Sequence, residues 1–156
     1  MSKLQSVYKH ALDNKVVQQN PIKNHFKSKP DHKGLTLDTI RQIKSLMLTA
    51  ELAFARDMFM LSFYCRGMNW LDIIQLKKSN IQNGFLSYQR SKSHKEYRMR
   101  LHPAALIIIQ RYTNDSQYLF GIIKTKEQLT PQRLHSIRLS SRKERNHALR
   151  EIGEQV

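Results

Sequence analysis

Positive charge is the feature of this sequence with the most obvious chemistry. The chain has 156 residues, with 27 Lys and Arg against 12 Asp and Glu, so its formal net charge is +15. An excess of this size on a small protein attracts polyanions, and nucleic acid is the partner that it most often indicates. Basic side chains can contact phosphates, although any single one can instead belong to an ordinary solvated face. The residues that we predict to contact nucleic-acid phosphates in this way are Lys77, Lys78, Lys95, Arg98 and Arg100.

Residues suited to metal, nucleotide or thiol chemistry are sparse. Seven histidines are scattered along the chain and Cys65 is the single cysteine, so neither a zinc site nor an internal disulfide is expected. Cys65 lies at the end of an apolar segment, where a buried, unreactive thiol is the expectation. The sequence has no G-x-x-x-x-G-K-[ST] motif for ATP. We therefore expect no cofactor.

Composition excludes several classes of protein. A hydrophobic content of 40% disfavours intrinsic disorder. No apolar run reaches the ~18 residues of a membrane span. The first fifteen residues, MSKLQSVYKHALDNK, contain no apolar signal-peptide core. A lone cysteine fits a reducing compartment. We expect a cytoplasmic protein without a membrane partner.

Helical periodicity predicts most of the elements that must position these residues. Thr36 and Asn69 are suitable N-caps, and Thr130 followed by Pro131 is typical of a helix start. The segment 50–64 is apolar on nearly every side, which predicts a central helix that is buried on several sides. The predicted helices are 1–20, one beginning after Thr36, 50–64, WLDIIQL after Asn69, 105–112 and 131–153.

A change of period after residue 80 predicts a small antiparallel sheet. Asn83 and Gly84 form a turn signal, and the apolar residues that follow alternate with polar ones up to Leu101. The predicted class is α+β, mostly helical, with one inserted β-meander. The stretch 21–34 contains two prolines and a glycine, and we predict that it is a linker.

The segment FYCRGMNWLDIIQLKKSNI and the hairpin after it resemble the tyrosine recombinase (phage integrase) family, most closely the branch carried by conjugative and mobilisable elements. That family has a first catalytic box, G-L-R-x-x-E/D-x-x-x-L, followed by a β-hairpin with a catalytic lysine in its turn. The resemblance runs from the linker to residue 156 and implies a mostly helical α+β catalytic domain of integrase type. The residues that carry it are Gly67, Met68, Asn69, Asp72 and Leu76 on the box, and Lys92 in the turn.

One position departs from the family pattern. The first catalytic arginine would stand where this chain has Asn69, whose amide can donate a hydrogen bond to a DNA phosphate but brings no charge. Arg66, one helical turn earlier, and Arg90, in the hairpin, are the candidates to replace it. We favour Arg90 because it precedes Lys92 by two residues and shares its face in a regular strand.

The resemblance implies site-specific DNA recombination through a 3′-phosphotyrosyl intermediate, without metal or ATP. Fixed cations would stabilise the charge on the non-bridging oxygens, and Lys92 would protonate the 5′-hydroxyl leaving group as a general acid. Asp72 would orient a cation or support the box. The alternatives are a solvated turn lysine for Lys92 and, for Asp72, a helix carboxylate that offsets local positive charge. The full-length parent would act as a tetramer on paired sites.

The second catalytic box of the family, H-x-x-R, is not expected within this chain. The matches at 135–138 and 147–150 lie in a predicted basic helix and follow the first box too closely. We therefore predict a fragment that lacks the nucleophile and is inactive as given, because cleavage needs the rest of the parent. It would comprise the last helix of a core-binding domain at 1–20, a linker at 21–34, and the N-terminal part of the catalytic domain at 35–156.

The aromatic residues outside the hairpin are expected to pack rather than to react or to stack on bases. Tyr112 and Tyr118 precede the position of the family's nucleophile, and Trp70, Phe54 and Phe63 lie in apolar segments. The alternative function is a non-catalytic DNA-binding protein that occupies recombination sites or shapes DNA.

Overall fold

A computed structural model describes residues 3–16, 34–112, 114–124 and 130–156, and divides the chain into two compact units, 1–35 and 36–156. The first unit contains helix α1, Lys3–Asp13, which ends before the predicted limit at residue 20. A turn follows it, with Lys15 in the left-handed region at φ 55°. The remainder of that predicted helix, 17–20, and the linker up to residue 33 lie outside the described residues.

The second unit is built around one central helix. Helix α2, Leu37–Ser45, begins at Thr36, whose hydroxyl oxygen accepts the Thr39 amide at 3.1 Å. Helix α3, Ala50–Tyr64, follows and contributes residues to both apolar clusters of the unit. The prediction of a central, largely buried helix is thus confirmed.

Phe63 is an exception to the prediction that the helix aromatics are core. Its side chain is 45% exposed, whereas Leu61 and Cys65, on either side of it in sequence, are buried. Successive helical residues are about 100° apart, so Phe63 points away from the side that Leu61 and Cys65 share. The core prediction is wrong for Phe63 because it counted apolar residues without assigning them to a packed face.

Helix α4, Trp70–Gln75, leads through a short 3-10 turn into a three-stranded antiparallel sheet of order β1-β2-β3. Asn83 and Gly84 adopt positive φ angles of 50° and 76°, as the tight turn between the first two strands requires. Leu86 and Met99 pair across the sheet and are buried on its inner face. The strands are β1 (Ile81–Gln82), β2 (Phe85–Gln89) and β3 (Glu96–Arg100).

Helices α5, Pro103–Arg111, and α6, Pro131–Gly153, complete the described elements. The larger apolar cluster joins α3, α4, α5 and the inner face of the sheet, and the smaller one joins α2, α3 and α6. Trp70 is 7% exposed and its indole N–H donates to Ser141 Oγ at 3.1 Å, so it belongs to the core as predicted. The predicted α+β class, mostly helical with one meander, is confirmed.

Asp57 is a buried carboxylate that connects two helices of the core. It is 3% exposed on α3, and its Oδ2 accepts hydrogen bonds from the Arg111 guanidinium and from the Tyr112 hydroxyl, the latter at 2.8 Å. Arg56 Nη2 lies 2.9 Å from Oδ1. Burial and the hydrogen bond to Asp57 raise the pKa of Tyr112 to about 12. The phenol therefore stays protonated and acts in packing.

Candidate active site at the hairpin turn

The turn between β2 and β3 is attached to helix α4 through the buried carboxylate of Asp72. Asp72 is 3% exposed, and its Oδ1 accepts a hydrogen bond from the Ser91 backbone N–H at 2.9 Å. A second, longer contact runs from Gln75 Nε2 to Ser91 Oγ at 3.3 Å. Because Lys92 is the next residue, these bonds hold its backbone beside the helix that carries the box residues.

The Asn69 side chain makes hydrogen bonds that cap the start of helix α4. Its Oδ1 accepts the Asp72 backbone N–H at 3.1 Å, and its Nδ2 donates to Asp72 Oδ2 at 2.7 Å. The predicted N-cap is therefore confirmed, and a second hydrogen bond, between the two side chains, ties the cap to the third helical residue. A contact from Asn69 to a phosphate would have to use the second hydrogen of Nδ2.

The turn itself is closed by two backbone hydrogen bonds. The Arg90 N–H donates to the Lys95 carbonyl and the His94 N–H donates to the Arg90 carbonyl, each at 2.8 Å. Lys92 is exposed within this turn. Strand β2 ends at Gln89, so the regular-strand argument that placed Arg90 and Lys92 on one face is wrong, although the two residues share the hairpin.

Arg90 directly follows strand β2 and lies beside Tyr97. Its Nη1 lies 3.4 Å from the Tyr97 hydroxyl, at the long end of hydrogen bonding, and its Cζ lies 5.9 Å from the Tyr97 ring centroid. Tyr88 and Tyr97 pair across the sheet, with ring centroids 5.5 Å apart. Burial and then the Asp72 carboxylate raise the pKa of Tyr88. The Arg90 guanidinium lowers the same pKa, so Arg90 and Asp72 act on Tyr88 in opposite directions.

Arg66, the other candidate cation, lies where α3 turns toward the box. It has a φ of 58° and is followed by Gly67 at 76°. The Gly67 N–H donates to the Ser62 carbonyl at 2.8 Å, which ends the helix in a left-handed turn. Arg66 is exposed and Arg90 is partly exposed, so an anion can reach both candidates.

Comparison with solved structures identifies the fold that carries these residues. The chain is similar to the lambda integrase bound to DNA, with 18% identity, a TM-score of 0.50, and coverage of 92% of this chain and 54% of that chain. The chain has an integrase fold. It spans about half the length of the integrase that it matches.

Two further matches have lower TM-scores. A lambda integrase dimer bound to a COC′ core site gives 18% identity and 0.48, and covers 92% of this chain and 55% of that chain. A lambda integrase tetramer bound to a Holliday junction gives 18% identity and 0.47, and covers 91% and 45%. A scan against protein-family models and a search of curated proteins find no match. The fold implied by the sequence resemblance is confirmed by the first structure.

The predicted DNA-contacting residues lie on three parts of this integrase fold: strand β3, the hairpin turn and the segment after α4. Arg98 and Arg100 are exposed on the face of β3 opposite Tyr97 and Met99, and the Arg98 guanidinium lies 4.9 Å from the Phe85 ring centroid. The other predicted residues occupy the turn and the segment after α4. Lys95 is exposed, Lys77 lies 5.8 Å from the Tyr118 ring centroid, and Lys78 Nζ donates to the Asn114 carbonyl.

Two absences concern the described part of the integrase fold. Among residues 3–16, 34–112, 114–124 and 130–156, no three His, Cys, Asp or Glu side chains form a group that could hold a metal ion. No helix within those ranges combines the length and the apolar character needed to cross a membrane.

Cys65 is expected to react far more slowly in the folded protein than in the unfolded chain. It is 1% exposed, and burial raises its pKa from 9.0 to about 11. At pH 8 the ionisation difference alone predicts alkylation about 100-fold slower than in urea, because the thiolate is the nucleophile. The folded rate should keep rising up to about pH 11, and the unfolded rate should level off near pH 9. Iodoacetamide labelling followed by mass spectrometry measures both rates. Equal rates would contradict the buried thiol.

Proposed function

We propose that this chain is part of the catalytic domain of a tyrosine recombinase, the family that its motifs resemble. The observation that carries the proposal is the hydrogen bond from the Ser91 amide to the buried Asp72 carboxylate. It joins the lysine-bearing turn to the box helix across 19 positions of sequence, as the two catalytic motifs require. The integrase fold supports the same assignment.

The proposed reaction breaks one phosphodiester bond of DNA and forms another. A tyrosine hydroxyl of the longer protein loses its proton to water as its oxygen attacks the phosphorus, a 3′-phosphotyrosyl bond forms, and the bond to the 5′ oxygen breaks. The Lys92 ammonium gives a proton to that oxygen as it leaves. Arg90 or Arg66 stabilises the charge that builds on the non-bridging oxygens. Asp72 contacts no substrate and acts by orienting the turn through Ser91.

The nucleophile belongs, in this proposal, to a longer protein that includes this segment. Tyr112 donates its hydroxyl hydrogen to Asp57, and Tyr118 is 8% exposed, so both are committed to packing. We propose that 1–20 is the last helix of a core-binding domain, 21–34 a linker, and 35–156 the N-terminal part of the catalytic domain. The parent would act as a tetramer on paired sites of double-stranded DNA.

DNA binding by the chain is expected to weaken steeply with salt. With about six phosphate contacts, affinity should fall by about 10³ between 50 and 200 mM NaCl, because each contact releases condensed counterions. Fluorescence anisotropy with a labelled duplex measures the slope of log affinity against log salt concentration. Binding that does not depend on salt, or no binding at all, would contradict the proposal.

A paired substitution decides whether the outer face of β3 takes part in that binding. Replacing both Arg98 and Arg100 with alanine should lower the magnitude of the salt slope by about 1.8 if each contacts a phosphate. An unchanged slope would assign both residues to a solvated face.

Formation of a covalent protein–DNA adduct by the longer protein separates the recombinase from a non-catalytic DNA-binding protein, which would bind DNA and form no adduct.

A further inference from the structure

Two stacked tyrosines lie on the hairpin that carries Arg90. Tyr88 and Tyr97 are direct cross-strand partners, and their rings are nearly parallel at 20° with centroids 5.5 Å apart. Tyr97 presents its hydroxyl to Arg90 Nη1 at 3.4 Å and its ring to the guanidinium at 5.9 Å. The Arg90 guanidinium therefore lies beside the Tyr97 member of this aromatic pair.

A free arginine side chain is a poor clamp because it samples many rotamers. Immobilising one rotamer-rich side chain on binding weakens affinity by about two- to tenfold. An aromatic ring and a hydroxyl that already restrict the guanidinium reduce that cost before the phosphate arrives. The contact with Tyr97 uses one N–H of the guanidinium, which has five, so four donors stay available for an anion.

We propose that Tyr97 is a positioning residue that holds the Arg90 guanidinium beside the Asp72-anchored turn, ready for a DNA phosphate. This inference rests on the proposed function, which gives Arg90 a phosphate to bind. Tyr97 is half-buried, and its neighbour Met99 on the same face is buried, so packing against the sheet restricts the tyrosine side chain. Tyr88 supports the ring of Tyr97 from the adjacent strand.

The opposite face of the hairpin provides a matched control. The Arg98 guanidinium lies 4.9 Å from the Phe85 ring centroid, so this pair has the same cation–aromatic contact. Phe85 has no hydroxyl, and the pair projects from the face away from Asp72. Replacing Phe85 with leucine removes an aromatic seat for an arginine without touching the proposed phosphate pocket.

The experiment measures duplex binding by the full chain over a range of NaCl concentrations. Replacing Arg90 with alanine should lower the magnitude of the salt slope by about 0.9, the loss of one phosphate contact. Tyr97→Leu should weaken binding about two- to tenfold, and Tyr97→Phe by less because it keeps the ring. In the Arg90→Ala background, neither Tyr97 substitution should change binding further. Phe85→Leu should change binding to the same extent with and without the Arg90 side chain.

The outcomes separate this inference from the function on which it rests. If Arg90→Ala changes neither affinity nor slope, Arg90 is not the phosphate cation and that part of the proposed function fails. If Arg90→Ala weakens binding but both Tyr97 variants bind as the unchanged chain does, the positioning role is overturned. It is also overturned if the Tyr97 variants weaken binding equally without Arg90, which indicates a general structural defect. Tyr97→Phe keeps the comparison intact should Tyr97→Leu fail to fold.

Discussion

Replacing Lys92 with alanine should slow strand cleavage by about 10²–10⁴-fold in a longer recombinase that includes this chain and the nucleophile. The 5′ oxygen is a poor leaving group without a proton, and in the proposed site the Lys92 ammonium supplies it. The backbone next to Lys92 stays anchored, because the Ser91 amide donates to Asp72 whatever side chain follows. The rate of covalent adduct formation on a nicked duplex, followed on denaturing gels, measures the effect.

A sulfur substitution in the DNA tests whether that loss concerns the proton. When sulfur replaces the 5′ bridging oxygen, the leaving group is a thiolate of much lower pKa and needs no proton. Lys92→Ala should then cleave within about tenfold of the unchanged protein. Lys95→Ala is the comparison, because Lys95 is exposed at the end of the same turn and is predicted to contact DNA, so its loss should affect the oxygen and sulfur substrates equally. An equal defect of Lys92→Ala on oxygen and sulfur substrates would contradict the general-acid role.

The elements could be predicted from the sequence because their signals are local. Thr36, Asn69 and Thr130 each accept a backbone N–H three residues later, and each was identifiable by residue type and position. Asn83 and Gly84 likewise specify a tight turn within two residues. Caps and turns need no distant partner, so their sequence signals are sufficient.

Contacts between distant positions could not be predicted in the same way. Asp57 is separated by 54 residues from Arg111, and no periodicity within α3 indicates that its carboxylate is buried among cations. The bond between Asp72 and Ser91 is equally invisible to local pattern, and the family resemblance alone suggested that the two motifs meet. Strand parity could have separated Arg98 and Arg100 from Tyr97, because alternate residues of a strand face opposite sides.

Replacing Asp72 with alanine should lower the free energy of unfolding by about 2–4 kcal/mol. The carboxylate is buried and accepts hydrogen bonds from the Ser91 backbone and the Asn69 amide at 2.9 and 2.7 Å. Hydrogen bonds to a charged group contribute about 1.5–3 kcal/mol, and the donors left behind become unsatisfied. Urea unfolding measures the loss. Asp38→Ala is the control, because the bridge from Arg41 to Asp38 is exposed, at 74% and 83%, and should contribute under about 1 kcal/mol.

The position of the turn is a separate consequence of the same substitution. Without Asp72 the Ser91 amide loses its acceptor, so its hydrogen exchange should become much faster, while Leu86 and Met99 in the adjoining strands stay protected. Asp72→Asn should have a smaller effect, because one side-chain oxygen can still accept a backbone N–H. Since Lys92 follows Ser91 directly, release of the turn should reduce cleavage although Asp72 contacts no DNA. A Ser91 amide that remains protected in Asp72→Ala would show that other contacts hold the turn against α4.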